Sequence, residues 1–343
     1  MALPAGRVTN DAANYFAFAL QSSKDTAGTT FYFLKHLDGT GFDVAVDKSS
    51  ERIGGSGKEI GLRYRKKVTA DGQFVSYADP DATGRVLYAA LGTETLASSG
   101  GLYQHTITSG ASLLPYYTMD QSYADENERV TNALVSDLKI EFEAGMPVKF
   151  TTQFVVGGTP YAKNSALSPT RESNPIPFMM PGASVAITAL QNLTVGASLG
   201  GATSLQVTKG SVEIKNTLDD AIQTVALNRE DVLWLNADYE IDGTLKYIDR
   251  KFWEAVNYGG GSQVPTGALT GGQFWFYMQV PSQQSLQIFC PYLEFTGVKL
   301  NRLDPDGKTV YLDWSGATRN IGSQALQCTV SNNTSTSYTS SST

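Results

Sequence analysis

The sequence predicts a mainly-β protein built as two similar domains in tandem, on three observations. Segments with alternating or β-branched and aromatic residues recur along most of the chain. At 343 residues the length suits two domains, each large enough for its own core. Finally, DGQFVSYADPDATGRVLYAALGT (71–93) and DGTLKYIDRKFWEAVNYGG (242–260) repeat one order of elements. Each begins at an Asp-Gly pair that reads as a turn, continues through a short strand to Tyr77 or Tyr247, and enters an amphipathic helix that stops at Gly92 or Gly259.

In the first half the strands are expected at 58–68, 102–110, 137–145 and 147–157. In the second half they are expected at 204–216, 231–241, 273–280, 286–295 and 308–314. LDPDGK (303–308) has the chemistry of a tight hairpin, with Pro305 ahead of Asp-Gly. Helices are few: 82–91, 249–258 and a weak candidate near 11–21. Five of the 13 prolines (Pro160, Pro169, Pro175, Pro177 and Pro181) mark 159–182 as an extended linker. The domains are therefore expected at 1–158 and 183–330. Residues 331–343 read as a Ser/Thr-rich tail with little packed structure of its own.

The repeat extends beyond the quoted stretches. FDVAV (42–46) matches VEIKN (212–216), LYQHTI matches QFWFYM, and LPYYTM matches LQIFCPYLEF. Each half closes on a hairpin, DLKIEFEAGMPVKFTTQFVVG against EFTGVKLNRLDPDGKTVYLDWSG.

Composition narrows the function. With 41% hydrophobic and 17% charged residues the chain is neither disordered nor a bundle of membrane helices, and no apolar run is long enough to span a bilayer. The first 20 residues lack the pattern of a secretory signal, and two scattered cysteines, Cys290 and Cys328, suit a reducing cytoplasm. The net charge of −7 is shared by both halves, so neither has the basic surplus of a nucleic-acid binder.

Catalytic and metal motifs are missing from the sequence. His36 and His105 lie in different predicted strands and read as packed side chains, so no zinc or iron site, triad or cofactor site is expected. IGGSGKE (53–59) imitates a phosphate loop but has Arg52 where the first glycine belongs and Glu59 where the magnesium-binding hydroxyl belongs. Asp125-Glu126-Asn127-Glu128 lacks the spacing of a calcium loop and reads as solvated. Asp238 and Glu240 could serve a glycan lyase or hydrolase. The aromatic run Phe274-Trp275-Phe276-Tyr277 could stack on sugars, although a buried strand uses such residues more often as core.

The loop Glu51-Arg52-Ile53-Gly54-Gly55-Ser56-Gly57 between two strands, the short helix, the closing hairpin and the entry FALQSSKDTAGTTFYFLKHLDGTGFDV (18–44) together resemble the tail tube proteins of long-tailed, siphovirus-type phages. The likeness covers most of 15–318 as an order of elements. It implies two tail-tube-like β-sandwich domains, each with one flanking helix, whose inner sheets join those of neighbours into a β-barrel ring around a DNA channel. A doubled chain then needs three copies for six domains. The implied partners are other copies of the chain, a tape measure protein, tail terminator or tail tip proteins, and passing double-stranded DNA that is not gripped. The implied location is the virion tail, assembled in the host cytoplasm. A carbohydrate-binding β-sandwich adhesin is the alternative.

Two groups of residues follow as candidates for these roles. On strand 137–145, Asp137, Lys139, Glu141 and Glu143 alternate with apolar residues and form a polar, mostly negative face expected to line the channel. Lys58, Arg63, Arg65 and Lys67 mark a charged strand edge expected at the subunit interface. Residues 1–14, 47–58, 159–182 and the chain after Arg319 are expected to order only when rings join.

Overall fold

The computed structural model describes residues 15–51, 62–123, 126–157, 162–163, 167, 176–179, 183–187, 203–204, 207–219, 229, 231–246, 253, 256–257, 271–281, 283–300, 311–320 and 324–340. The fold is mainly β. The first half contains β1 (Tyr15–Leu20), β2 (Tyr32–Leu34), β3 (Gly41–Phe42), β4 (Ala45–Glu51), β5 (Leu62–Thr69) and β6 (Gly72–Tyr77). These are followed by α1 (Pro80–Leu91), β7 (Thr93–Ser99), β8 (Leu102–Thr108), β9 (Tyr117–Tyr123), β10 (Glu126–Glu143) and β11 (Lys149–Val156). Next come β12 (Ala162–Lys163), β13 (Ala183–Ile187), β14 (Thr203–Ser204), β15 (Val207–Asp219) and β16 (Leu233–Lys246). The series ends with β17 (Gly271–Gln279), β18 (Ser285–Leu300), β19 (Tyr311–Thr318) and β20 (Gln327–Asn332).

The predicted helix at 82–91 forms and starts two residues earlier. Asp79 caps it by accepting hydrogen bonds from the backbone N–H groups of Asp81 (3.0 Å) and Ala82 (2.8 Å), with Pro80 in the first turn. Gly92 ends it in the left-handed conformation at φ 80°. The weak helix at 11–21 is not there: its described part is β1, held between β2 and β9. Ala17 and Ala19 are as buried as Phe16 and Phe18, so YFAFAL buries both faces, and this two-sided burial is what tertiary pairing imposes on a helix-compatible sequence. For 249–258, Trp253, Val256 and Asn257 are helical, and the remainder lies outside the described residues, as do IGGSGKE and LDPDGK. The flanks of LDPDGK do pair, Leu300 opposite Leu312. Of the acidic run that read as a solvated loop, Asp125 lies outside the described residues and Glu126, Asn127 and Glu128 open β10 instead, with Glu128 opposite Gln121.

Strand pairing repeats between the halves. In the first half the order is β1–β9–β10–β11–β6–β3, and in the second it is β13–β17–β18–β19–β16–β15. Bulges fall at matching places. Against the preceding strand, β10 holds an extra residue between Val130 and Ala133, and β18 holds one between Cys290 and Leu293. Against the following strand the extras lie between Val135 and Asp137 and between Phe295 and Gly297. A third pair interrupts β5 opposite Asp47 and Lys48 and β16 opposite Thr217 and Leu218. Bulges reset twist and register, so their coincidence superimposes the halves residue by residue: Phe42 on Val212, Gln73 on Asp242, and Asp137 on Gly297.

This superposition keeps the match of FDVAV to VEIKN and corrects two others. QFWFYM corresponds to β9, which holds the end of LPYYTM. LYQHTI is β8, which forms a hairpin with β7 that has no described counterpart in the second half. Asp242 and Gly243 make no turn; they lie inside β16. The glycine is there for space, because a Cβ on Gly243 would press into the indole of Trp314.

The first half closes into a barrel through β1, β9, β10, β11 and β6, with the His36–Ser76 bridge carrying the segment after β2 onto β6. Phe16 stacks on Phe74 inside it at 5.8 Å and lies 6.0 Å from Phe154. The second half is fastened on by a ladder between β10 and β15, where Leu138 faces Ile214 and Ile140 faces Val212, all fully buried. Each such side chain stabilises the junction by roughly 1.5–3 kcal/mol. Phe142 stacks on Phe276 at 4.4 Å across the same junction. The Asn216 side-chain amide donates to the carbonyls of Ala90 and Val135, both at 3.0 Å. Arg229, 2% exposed, forks onto the two oxygens of Asp71 at 2.7 and 3.1 Å and donates to the Val156 carbonyl. Asp71, read as a turn residue, is the counter-ion of this buried guanidinium.

The linker and tail expectations are also revised. In the linker, Phe178 is fully buried, its N–H donating to Ala78 and its carbonyl accepting from Val148, while β12 pairs with β10. Strand β20 lies between β8 and β18 and so joins the two halves a second time. The following Ser/Thr-rich residues pack on the first half. Tyr338 is 2% exposed, stacks on His105 at 4.1 Å, and fits against Gly84 of α1 where any larger residue would collide. Glu94 accepts hydrogen bonds from the Ser337 hydroxyl (2.6 Å) and the Tyr338 N–H (2.7 Å) and faces Nδ1 of His105 at 2.6 Å. Composition failed here because one aromatic and a few backbone donors, met by a buried carboxylate, outweigh the polarity of the stretch.

Burial alone would push the Glu94 carboxyl up, but hydrogen bonds from His105 and Ser337 hold it below its usual value. The anchor is therefore fully present above pH 4.5 and is lost as the pH falls below that. Tyr338→Ala should cost about 3–5 kcal/mol in urea melts at pH 7. The tail should also become progressively protease-sensitive as the pH falls from about 4.5, the ordinary carboxyl range, through the lower value that Glu94 has in the fold. Unchanged melts, or a tail that stays as resistant at strongly acid pH as at pH 7, would contradict this assignment.

Candidate functional site

The β10–β15 ladder makes one sheet of β6, β11, β10, β15, β16, β19 and β18. Alternation gives this sheet two unlike faces. On one, Phe150, Ile140, Val212, Ile241 and Phe295 are buried in the core. On the other, a row of facing residues runs Tyr77, Lys149, Glu141, Ser211, Asp242, Ser315 and Gly297 across the strands. This polar face lines an open concavity of about 950 Å³.

All four candidate channel residues, Asp137, Lys139, Glu141 and Glu143, lie on this open side of β10, away from the core. Strands distant in sequence bring further charged neighbours to them, which no local pattern could place. Lys149 comes from β11, Lys209, Glu213 and Lys215 from β15, and Asp238, Glu240 and Asp242 from β16. The expected mostly negative face is thus one of alternating charge in which carboxylates predominate. Lys215 donates to Glu240 at 2.6 Å and lies 3.2 Å from Glu213, while Lys139 and Glu141 pair at 3.1 Å. The hydrogen bond to Glu240 pushes the Lys215 ammonium above its ordinary value, so it stays charged. Partial burial, then the charge of Glu213, pushes Asp137 up to about 6. Asp242 is also raised, by burial and then by Glu240 and Glu213.

Asp238 and Glu240, the carboxylates considered for sugar chemistry, share this face, with Glu240 engaged by Lys215. Phe274 and Phe276 are fully buried, whereas Trp275 and Tyr277 lie partly exposed and stacked at 5.6 Å on the opposite side of β17. His105 and Glu94 are sealed from solvent, and the Ser337 hydroxyl bonds the carboxylate, not the imidazole, so this Ser, His and Glu lack the relay order of a hydrolase. Among the described residues no group of His, Cys, Asp and Glu is placed to hold a metal ion. Cys290 and Cys328 are unpaired and buried, their thiols pushed up to about 12 by burial. No described helix is long and apolar enough to cross a membrane.

Of the candidate interface residues, Lys58 lies outside the described residues. Arg63, Arg65 and Lys67 occupy alternate positions of β5, facing Ser50, Lys48 and Asp47 of β4. The β4–β5 ribbon continues the β3–β6 pairing outward, as the far ends of β15 and β16 do in the second half.

No protein-family model matches the chain, and no curated protein matches it.

The raised carboxyl of Asp137 gives a direct check. A carboxyl lifted from 3.8 to about 6 in the fold is destabilising when ionised, so this site loses stability as the pH rises through that window. Asp137→Asn should stabilise the chain at pH 7.5 by about 1 kcal/mol, after allowance for solvent screening, and should change little at pH 3.5. Urea melts at both pH values measure it; equal effects at the two would show that the Asp137 charge is not the cause.

Proposed function

We propose that the chain is a structural protein that polymerises into stacked rings forming the tail tube of a long-tailed phage, a conduit for DNA. One observation carries the reading: the two halves, alike in strand order and bulges, join edge to edge into a single sheet with a polar concave face. A unit that adds to its own copy by strand pairing inside a chain is suited to add to further copies between chains. Six such units would come from three chains in a closed ring, and closure would bury the sheet edges that otherwise invite aggregation.

The concave face suits the inner wall. Its carboxylates outnumber its ammonium groups, and salt bridges tie Lys139, Lys149 and Lys215 to those carboxylates. Such a wall does not hold phosphate, as a DNA conduit requires. Tape measure and terminator or tip proteins would be the remaining partners, and the tail of the virion the location.

Purified protein at high concentration should give rings or tubes of near-sixfold appearance in negative stain, with a ring mass of three chains. Rings of six chains would remove the doubled-unit reading. A chain that stays monomeric at every concentration, or that is retained on a glycan array, would favour the adhesin alternative.

A further inference from the structure

The repeat identifies the edges by which one copy should meet the next. Within the chain, residues 137–143 of β10 pair with 209–215 of β15. Superposition of the halves places 297–300 of β18 on 137–140, and 42–45 on 212–215. Yet among the described residues β3 pairs only with β6, β4 only with β5, and β18 has no strand beside β19 after Glu294. The chain thus carries both halves of a second junction at opposite ends, unjoined. We propose that β18 of one copy pairs antiparallel with β3–β4 of a second copy, Val298 opposite Val44 and Lys299 opposite Asp43. This proposal rests on the assembly reading above and names the contacts that would carry it.

Burial supports the match. Ile140 and Ile214 are 0% exposed in the existing junction, while their counterparts Leu300 and Val44 are 38% and 37% exposed. The apolar content needed for a buried ladder is present at both edges and lies in solvent. Charge supports it too. Lys139 faces Glu213 across the existing junction, and the substitution of Lys299 for one and Asp43 for the other keeps opposite charges opposed. The flanking apolar cluster of Leu134, Val232, Leu218 and Trp234 has as its counterparts Glu294 on one edge and Arg63, Lys48 and Arg65 on the other. An acidic position, Glu294, which Arg319 already meets at 3.1 Å within the chain, would thereby face basic positions of the second copy. The head-to-tail contact is heterologous and so generates rings or filaments.

Phe42 is guarded in the single chain. The Gln121 amide accepts from the Phe42 N–H at 3.0 Å and donates to its carbonyl at 2.9 Å, filling the bonds a neighbouring strand would make. Gln121 stands at the position of Phe276 in the second half, where β10 supplies those bonds instead. The intermolecular ladder therefore starts at Asp43 and Val44 and reaches Phe42 only when that amide swings away.

The experiment is cross-linking of the full chain carrying both Val44→Cys and Val298→Cys, under mild oxidation at a concentration that gives assemblies. Covalent dimers and trimers should appear on a non-reducing gel, ending at the trimer when the ring closes at three chains, with neither single substitution giving species beyond dimer; the two native thiols are buried. Charge reversal provides the second measurement. Asp43→Lys and Lys299→Asp should each weaken self-association about tenfold in sedimentation, and the two together should restore it. Assemblies without the cross-link, or failure of the double reversal to rescue, would overturn this register while leaving the tube reading intact. Cross-linked chains that never form rings or tubes would support the register and remove the tube reading.

Discussion

The structure depends on one strand having more partners than a strand has edges. A β-strand offers two rows of hydrogen-bonding groups, yet β10 pairs with β9, β11, β12 and β15. Length makes this possible. Its 18 residues divide into an outer stretch against β9 and β12 and an inner stretch against β11 and β15. The two bulges sit between these stretches and turn the strand from one sheet direction to the other. At the first of them Asn132 takes a left-handed backbone (φ 57°), held because its buried side chain donates to Asp25 at 2.6 Å and accepts from Gln21 at 3.1 Å. The barrel closure, the junction between halves and the concave face all pass through this strand.

Much of this was legible in the sequence where local chemistry and tertiary position agree. Asp79, Pro80 and Gly92 mark α1 by capping alone. The match of FDVAV to VEIKN is right to the residue, because both segments carry the same alternating apolar pattern and pair with corresponding strands. The alternation of 137–143 placed all four polar residues on one face. Legibility ended where a residue answers to a distant partner. Gly243 looks like a turn glycine, and only the indole of Trp314 explains it. Arg229 is buried against Asp71, 158 residues away in sequence, a partner that no local pattern announces. Lys209, Glu213 and Lys215 could not be assigned to the same face as Glu141 until β15 was known to lie beside β10.

The charges of the chain follow a division of labour. Where ions are sealed inside, as with Glu94 against His105, each oxygen has a donor and the geometry is fixed. On the concave face the same residue types stay wet and share partners, as Lys215 is shared by Glu213 and Glu240. The inner contacts fix shape; the outer ones set the field that a solute in the concavity would meet.

The covalent continuity of the β10–β15 junction has a kinetic meaning. Two halves tied by one chain meet at an effective concentration on the order of millimolar, whatever the amount of protein present. This ladder therefore forms during folding, at every dilution, and carries no concentration dependence. A contact between separate copies has no such advantage: it must wait for encounter, and it responds to synthesis level, salt and crowding. If copies of the chain meet through an equivalent ladder, as proposed, the β10–β15 junction would be the contact fixed within the monomer, and the ladder between copies the one that responds to abundance.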